Sequence, residues 1–222
     1  MMWRIALLIL TLCLSSPAQA EVPRVLVMGD SLMAINRLFG SSVAQSLSKQ
    51  VGNPVQDNSA LGARYFFSLP LLDIAGMDIR SQFNGGPWDY VVMNGGGNDL
   101  LFGCGCGNCT LTLNRLISWD GMKGTIPNFV AKLRATGARV IYTGYLRTPG
   151  LISPVESCGP LGDEMDRRLA LMASRDQGIT FMPMSDLVTR DGDRSYHGFD
   201  LIHPSVKGSR AIAARIAAVI TK

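Results

Sequence analysis

Ser31 in Gly29-Asp30-Ser31-Leu32, and Asp200 with His203 in Asp200-Leu201-Ile202-His203-Pro204, are the parts of an acyl-transfer relay. A serine hydroxyl is a poor nucleophile at neutral pH; it needs an imidazole to take its proton and a carboxylate to hold that imidazole in the useful tautomer. Asp200 lies three residues before His203, a spacing that lets its carboxylate reach the ring nitrogen turned away from Ser31. Pro204 biases His203 toward extended backbone outside the helix that follows, which keeps the ring on a loop. His197 lies on the same stretch, and the pairing with Pro204 favours His203 as the base. Taken alone, the chain order Ser, Asp, His suggests an α/β hydrolase scaffold.

These residues must be held by the elements around them. Residues 22–28 form an apolar, β-rich run that ends at Gly29-Asp30, and residues 32–49 then carry Leu38, Val43 and Leu47 at helical spacing. Strand, tight turn and helix therefore follow one another, with Ser31 at the turn. Residues 54–57, 88–93, 138–143 and 179–182 read as further strands, and residues 125–136, 161–177 and 205–221 as helices. Residues 94–110 read as a Gly- and Cys-rich loop and residues 145–160 as a long ordered loop. Strands alternating with helices imply a parallel sheet covered on both faces. The expected object is a three-layer α/β/α sandwich whose ligands sit at the carboxyl ends of the strands.

Two further residues complete the chemistry. Gly62 has no side chain, so its N–H can approach a ligand closely, and Asn98 in Gly95-Gly96-Gly97-Asn98-Asp99 offers a side-chain amide. With the Ser31 N–H they would form an oxyanion hole. No Gly-Lys-Ser/Thr follows the glycines, so a phosphate-binding loop is a poor reading. Asp99 is expected to orient its loop. The four blocks around Ser31, Gly62, Asn98 and His203, in this order, resemble the GDSL-type esterases and lipases, or SGNH hydrolases, from about Val25 to Lys222. The resemblance implies a mainly parallel, flavodoxin-like sheet. It also implies a catalytic triad of Ser31, Asp200 and His203, an oxyanion hole of Ser31, Gly62 and Asn98, and no cofactor or metal.

Composition sets the surroundings. The chain has 222 residues, 47% of them hydrophobic and 17% charged. Residues 1–20 read as a secretory signal: Arg4 at the start, an apolar middle over residues 5–14, and Ala18-Gln19-Ala20 as the cleavage site. That apolar stretch falls short of the roughly 20 residues that span a bilayer. Residues 21–222 are then expected as one domain, periplasmic or secreted, with no membrane span after cleavage. Loss of Arg4 reduces the net charge of +4 by one, and the basic residues are scattered, so nucleic acid is not an expected partner.

Cys104, Cys106, Cys109 and Cys158 form an even set that predicts two disulfides, with Cys158 tied to Cys104 or Cys106, because neighbours one residue apart bond poorly. Their spacing does not fit the paired C-x-x-C of a zinc site. Tyr65, Phe66, Phe67, Leu146, Leu151 and Ile152 are candidates to line an acyl pocket. The function read from these residues is hydrolysis of carboxylic esters, or thioesters, through an acyl-enzyme, on a small ester, a lipid or an acylated glycan. Acyl transfer to another hydroxyl, or a non-catalytic envelope- or carbohydrate-binding module, are the alternatives; the module would need a missing block residue, and none is missing.

Overall fold

Side chains alternate along each strand, and that alternation divides the core into two faces. The computed structural model describes residues 22–67, 76–150, 153–188 and 192–222. Its strands are β1 (Val25–Met28), β2 (Val55–Asp57), β3 (Tyr90–Met93), β4 (Arg139–Thr143) and β5 (Ile179–Met182). All pairings are parallel, in the order β2-β1-β3-β4-β5. This is the flavodoxin-like doubly wound order, in which chain direction across the sheet reverses beside β1. The α/β hydrolase scaffold suggested by residue order alone is thereby replaced; convergent triads share geometry, not topology.

The helices are α1 (Ser31–Ala34), α2 (Val43–Val51), α3 (Gly97–Cys104), α4 (Thr110–Leu116), α5 (Thr125–Ala135), α6 (Gly159–Ala173) and α7 (Val206–Ile220). Val25, Val27, Val92 and Ile141 pack against Met33, Leu47, Ile212 and Ile216 from α1, α2 and α7. Leu26, Met28, Val91 and Tyr142 face the other way, onto Leu113, Ile126, Leu133 and Leu169 of α4, α5 and α6. Burial of each such side chain contributes roughly 1.5–3 kcal/mol. The result is the expected three-layer α/β/α sandwich.

Two sequence expectations are corrected. Residues 32–49 are not one helix: Asn36 (φ 66°) and Gly40 (φ 62°) are left-handed and break it. Ser42 and Gln45 then form a reciprocal capping box that starts α2 afresh, and Leu38 points into solvent. Residues 94–110 are not a loop throughout, because α3 begins at Gly97, the last of the three glycines, and runs into the first cysteine of the cluster, Cys104. Residues 1–20, the expected signal, and Leu151 and Ile152 lie outside the described residues. Among the described residues no helix is long and apolar enough to cross a membrane.

The site is positioned by register. Met28 pairs with Met93 and Met93 with Tyr142, so β1, β3 and β4 end at one level. Ser31, Asn98 and Tyr145, each three to five residues further on, therefore emerge side by side. The turn after β1 is tight at Gly29, where φ is 129° and a Cβ would lie 2.0 Å from the Asn94 Oδ1 and 2.9 Å from its carbonyl oxygen. Gln82 braces that turn, accepting from the Gly29 N–H at 2.6 Å and donating to its carbonyl at 2.9 Å. Gly29→Ala is expected to lower stability by about 2–4 kcal/mol in urea unfolding and to displace Ser31, lowering ester turnover with it. Wild-type stability in that variant would show that the turn tolerates a side chain.

Candidate active site

Asp30 sits between β1 and the first residue of α1, and its carboxylate caps that short helix by accepting from the Leu32 N–H at 3.0 Å. Capping turns the chain sharply and leaves Ser31 on the sheet edge. The histidine arrives on a narrow loop before α7. Gly198 N–H donates to the His203 carbonyl at 2.8 Å and Ser205 N–H to the Tyr196 carbonyl at 2.9 Å, which closes residues 198–203 into a tight excursion. Asn36, at the end of the nucleophile segment, donates to the Pro204 carbonyl and to Ser209 Oγ, both at 3.0 Å. One side chain thus ties the serine segment to the histidine loop.

The three relay residues meet. His203 Nε2 lies 2.8 Å from Ser31 Oγ, and His203 Nδ1 lies 2.6 Å from Asp200 Oδ2. Asp200 Oδ1 accepts from the backbone N–H groups of Ile202 and His203, each at 3.0 Å. Burial pushes the Asp200 carboxyl up, but these hydrogen bonds outweigh it and hold the group below the ordinary aspartate value. Asp200 is therefore charged at neutral pH and orients the ring. His197 is buried nearby with its Nδ1 unpartnered, and it does not line the cavity that Ser31 and His203 share.

Gly62 and Asn98 line the same cavity as Ser31. Asn98 Nδ2 donates one hydrogen to the Ala63 carbonyl at 3.0 Å, which orients the amide and leaves its second hydrogen available. Gly62 has φ 76°, a value that glycine adopts without strain, while an added Cβ would meet only ordinary contact at 3.5 Å. Among the described residues the N–H groups of Ser31 and Gly62 have no hydrogen-bond partner. Asp99 is buried and accepts from the Tyr65 N–H at 3.0 Å and the Phe66 N–H at 2.7 Å. It joins the segment after Gly62 to α3, the helix that carries Asn98. Burial raises its carboxyl above the usual range in spite of those bonds.

Three supporting residues carry no obvious signal in the sequence. Asn94 accepts from the Asp30 N–H at 3.0 Å and donates to its Oδ1 at 2.6 Å. The Tyr145 hydroxyl donates to Asp30 Oδ2 at 2.5 Å and accepts from the Gly97 N–H at 3.0 Å. It is a strut between the serine turn and the start of α3. Burial and the neighbouring Asp30 charge push the Tyr145 phenol well above its ordinary value, so it stays a donor. Gln82 is the third. Only Asn94, a polar residue at a strand end before three glycines, offered a local hint.

The cavity measures about 940 Å³. Of the expected lining residues, Leu146 is in it; Tyr65, Phe66 and Phe67 are not. Tyr65 is fully buried under the sheet end, where its hydroxyl meets that of Tyr142 at 3.2 Å. Phe66 stacks on the Arg115 guanidinium and Phe67 on that of Arg64. The cysteine sulfurs meet as Cys104 with Cys109 and Cys106 with Cys158, with Cα separations of 5.4 Å and 4.9 Å. Cys106 and Cys158 both border the cavity. Among the described residues no cluster of histidine, cysteine and carboxylate side chains is suited to hold a metal ion.

The model of the GDSL-like lipase/acylhydrolase family matches residues 27–211. Among solved structures, the chain is similar to a protein of Slackia heliotrinireducens assigned to the SGNH hydrolases, at 20% identity over 89% of this chain and 98% of that one, with a TM-score of 0.62. A protein of Lactobacillus plantarum is 18% identical over 91% and 98%, with a TM-score of 0.64. A carbohydrate acetylesterase of Sinorhizobium meliloti is 14% identical over 89% and 98%, with a TM-score of 0.58. At these identities the likeness is one of fold. No curated protein matches the chain.

Two outcomes follow from the supporting groups. Tyr145→Phe removes a donor to a buried carboxylate and the acceptor of the Gly97 N–H; stability should fall by about 1.5–3 kcal/mol and kcat on the order of 10- to 100-fold, with KM little changed. An unchanged kcat in steady-state assays would show that the strut does not set the geometry. Burial lowers the His197 ring below the unfolded value, which is about 6.5. Between the folded and unfolded values the unfolded chain binds more protons, so stability is full above about 6.5 and is lost as pH falls through that window. His197→Gln should lose less stability than the wild type between about pH 7.5 and about pH 5.5 in urea unfolding. Equal losses would mean that the ring does not contribute.

Proposed function

The chain belongs to the GDSL-like lipase/acylhydrolase family, and we propose that it is an exported serine hydrolase that cleaves carboxylic esters through an acyl-enzyme on Ser31. The observation that carries this reading is the unbroken relay Asp200–His203–Ser31, at 2.6 Å and 2.8 Å, facing a cavity that also exposes Gly62 and Asn98. Ser31 Oγ attacks the ester carbonyl as His203 Nε2 takes its proton. Asp200, held ionised, stabilises the imidazolium. Negative charge develops on the carbonyl oxygen, where the N–H groups of Ser31 and Gly62 and the free amide hydrogen of Asn98 receive it.

Collapse of that intermediate passes the Nε2 proton to the departing alcohol and leaves the acyl group on Ser31. Water then repeats the attack with His203 as base, releasing the acid and free Ser31. No cofactor takes part in these steps. Export is supported by the leader-like residues 1–20 and by the two cysteine pairs, which suit an oxidising compartment.

The test is intact-mass analysis of the protein expressed with its own residues 1–20 and treated with a fluorophosphonate. The expected product begins at Glu21, contains no free thiol and carries one adduct, which Ser31→Ala abolishes. In ester assays Ser31→Ala should lose on the order of 10⁶-fold in kcat, and Asn98→Ala on the order of 10² to 10³. Near-normal turnover by the Ser31 variant would overturn the assignment of the nucleophile.

A further inference from the structure

A second cavity, of about 130 Å³, lies where the segment after Gly62 packs on α3 and α4. It is lined by Arg64, Phe66, Asp99, Gly103, Thr112 and Arg115, none of which lines the cavity that Ser31 faces. Its charges are not matched. Arg64 Nε is buried without a hydrogen-bond partner, and among the described residues neither Arg64 nor Arg115 has an ion pair or a side-chain hydrogen bond. Asp99 is the acidic residue of the lining, and each of its oxygens already accepts a backbone N–H, from Phe66 at 2.7 Å and from Tyr65 at 3.0 Å. Two guanidinium groups thus stand beside one carboxylate that is engaged elsewhere. A buried charged donor left without an acceptor is costly, and an anion is the partner that removes the cost.

The donors are also held ready. Arg115 Cζ lies 4.3 Å from the centroid of the Phe66 ring, and Arg64 Cζ lies 5.5 Å from that of Phe67. Stacking on a ring uses the flat face of a guanidinium and leaves its N–H edge for an acceptor. Thr112, whose hydroxyl has no hydrogen-bond partner among the described residues, adds a third donor. Side chains fixed before a ligand arrives lose little freedom on binding it. The volume suits a group of a few heavy atoms, well short of the roughly 300 Å³ at which pockets for larger ligands begin.

We infer that Arg64, Arg115 and Thr112 form a binding site for a phosphate-sized oxyanion, separate from the reacting centre. The anion bridges the segment after Gly62 to α4. That segment is the one whose Ala63 carbonyl accepts from the Asn98 amide at 3.0 Å, so the anion steadies the backbone that orients Asn98. The site does not rest on the hydrolase reading.

The experiment is isothermal titration calorimetry of the purified protein with inorganic phosphate, at about pH 7.5 and at an ionic strength held constant with sodium chloride. One saturable site is expected, half-filled at about 1 mM or below. Arg115→Gln, at an exposed position, should weaken binding at least about tenfold, the equivalent of one charge-assisted hydrogen bond. Arg64→Lys keeps the charge but loses the planar fork, and should weaken binding about threefold or more. Protein whose Ser31 already carries the fluorophosphonate adduct should bind phosphate as the untreated protein does. Glycerol 3-phosphate separates the two sources of such a group: comparable binding marks the free ion, binding about tenfold tighter marks a phosphate carried on a larger molecule, and both support the site.

An absence of saturable heat, binding unchanged in both arginine variants, or binding lost in the adducted protein would each overturn the site, the last by placing the anion at the reacting centre. The titration reads no turnover, so a chain that binds phosphate and takes no adduct would fail the hydrolase reading and not this one.

Discussion

The reciprocal pair between Asp30 and Asn94 is the interaction on which the rest of the site depends. Asn94 accepts from the Asp30 backbone and donates to its carboxylate, joining the chain just beyond two neighbouring strand ends. A parallel sheet brings β1 and β3 side by side at the point where the strand order reverses, but parallel pairing alone leaves the emerging loops free to diverge. The Asp30–Asn94 pair removes that freedom within two residues of the strands. Tyr145 extends the same lock to β4, so the serine turn, the start of α3 and the segment after β4 become one rigid assembly.

That assembly is bought with a buried carboxylate. Burial raises Asp30 above the ordinary aspartate range, and hydrogen bonds from Tyr145, Asn94 and the Leu32 N–H oppose the rise. A buried polar network of this kind is favourable only when every member is satisfied, and here three donors converge on one carboxylate. The relay carboxylate is treated differently. Asp200 is only partly buried and lies below the ordinary value, held there by hydrogen bonds from His203 and Ile202. Two aspartates near one serine thus sit in different environments, one buried in a closed network and the other partly exposed beside an imidazole.

The residues that meet at the site were legible in the sequence because they stand in short strings: Ser31 follows an apolar run, His203 precedes a proline, and Asn98 follows three glycines. The sheet was legible too, since buried parallel strands are short apolar runs. Helix boundaries were less so. Leu38, Val43 and Leu47 are spaced as on one helix, yet left-handed Asn36 and Gly40 and the Ser42–Gln45 capping box divide the segment. The cavity wall was misread because Tyr65, Phe66 and Phe67 have the composition of a pocket but the environment of a core and of arginine contacts. Tyr145 and Gln82 could not be found at all: they act on Asp30 and Gly29 from 115 and 53 residues away, and nothing local marks either.

Ser31 and His203, whose side chains meet, are separated by 172 residues, the serine after the first strand and the histidine just before the last helix. A chain emerging from the ribosome therefore carries Ser31 without its imidazole partner through nearly all of its synthesis. His203 reaches it only when α7 docks on α2 and Asn36 takes hold of Pro204. The Ser31–His203 contact is in this way a long-range one: a chain that ends before α7 holds the serine but not the docked loop that brings the imidazole to it.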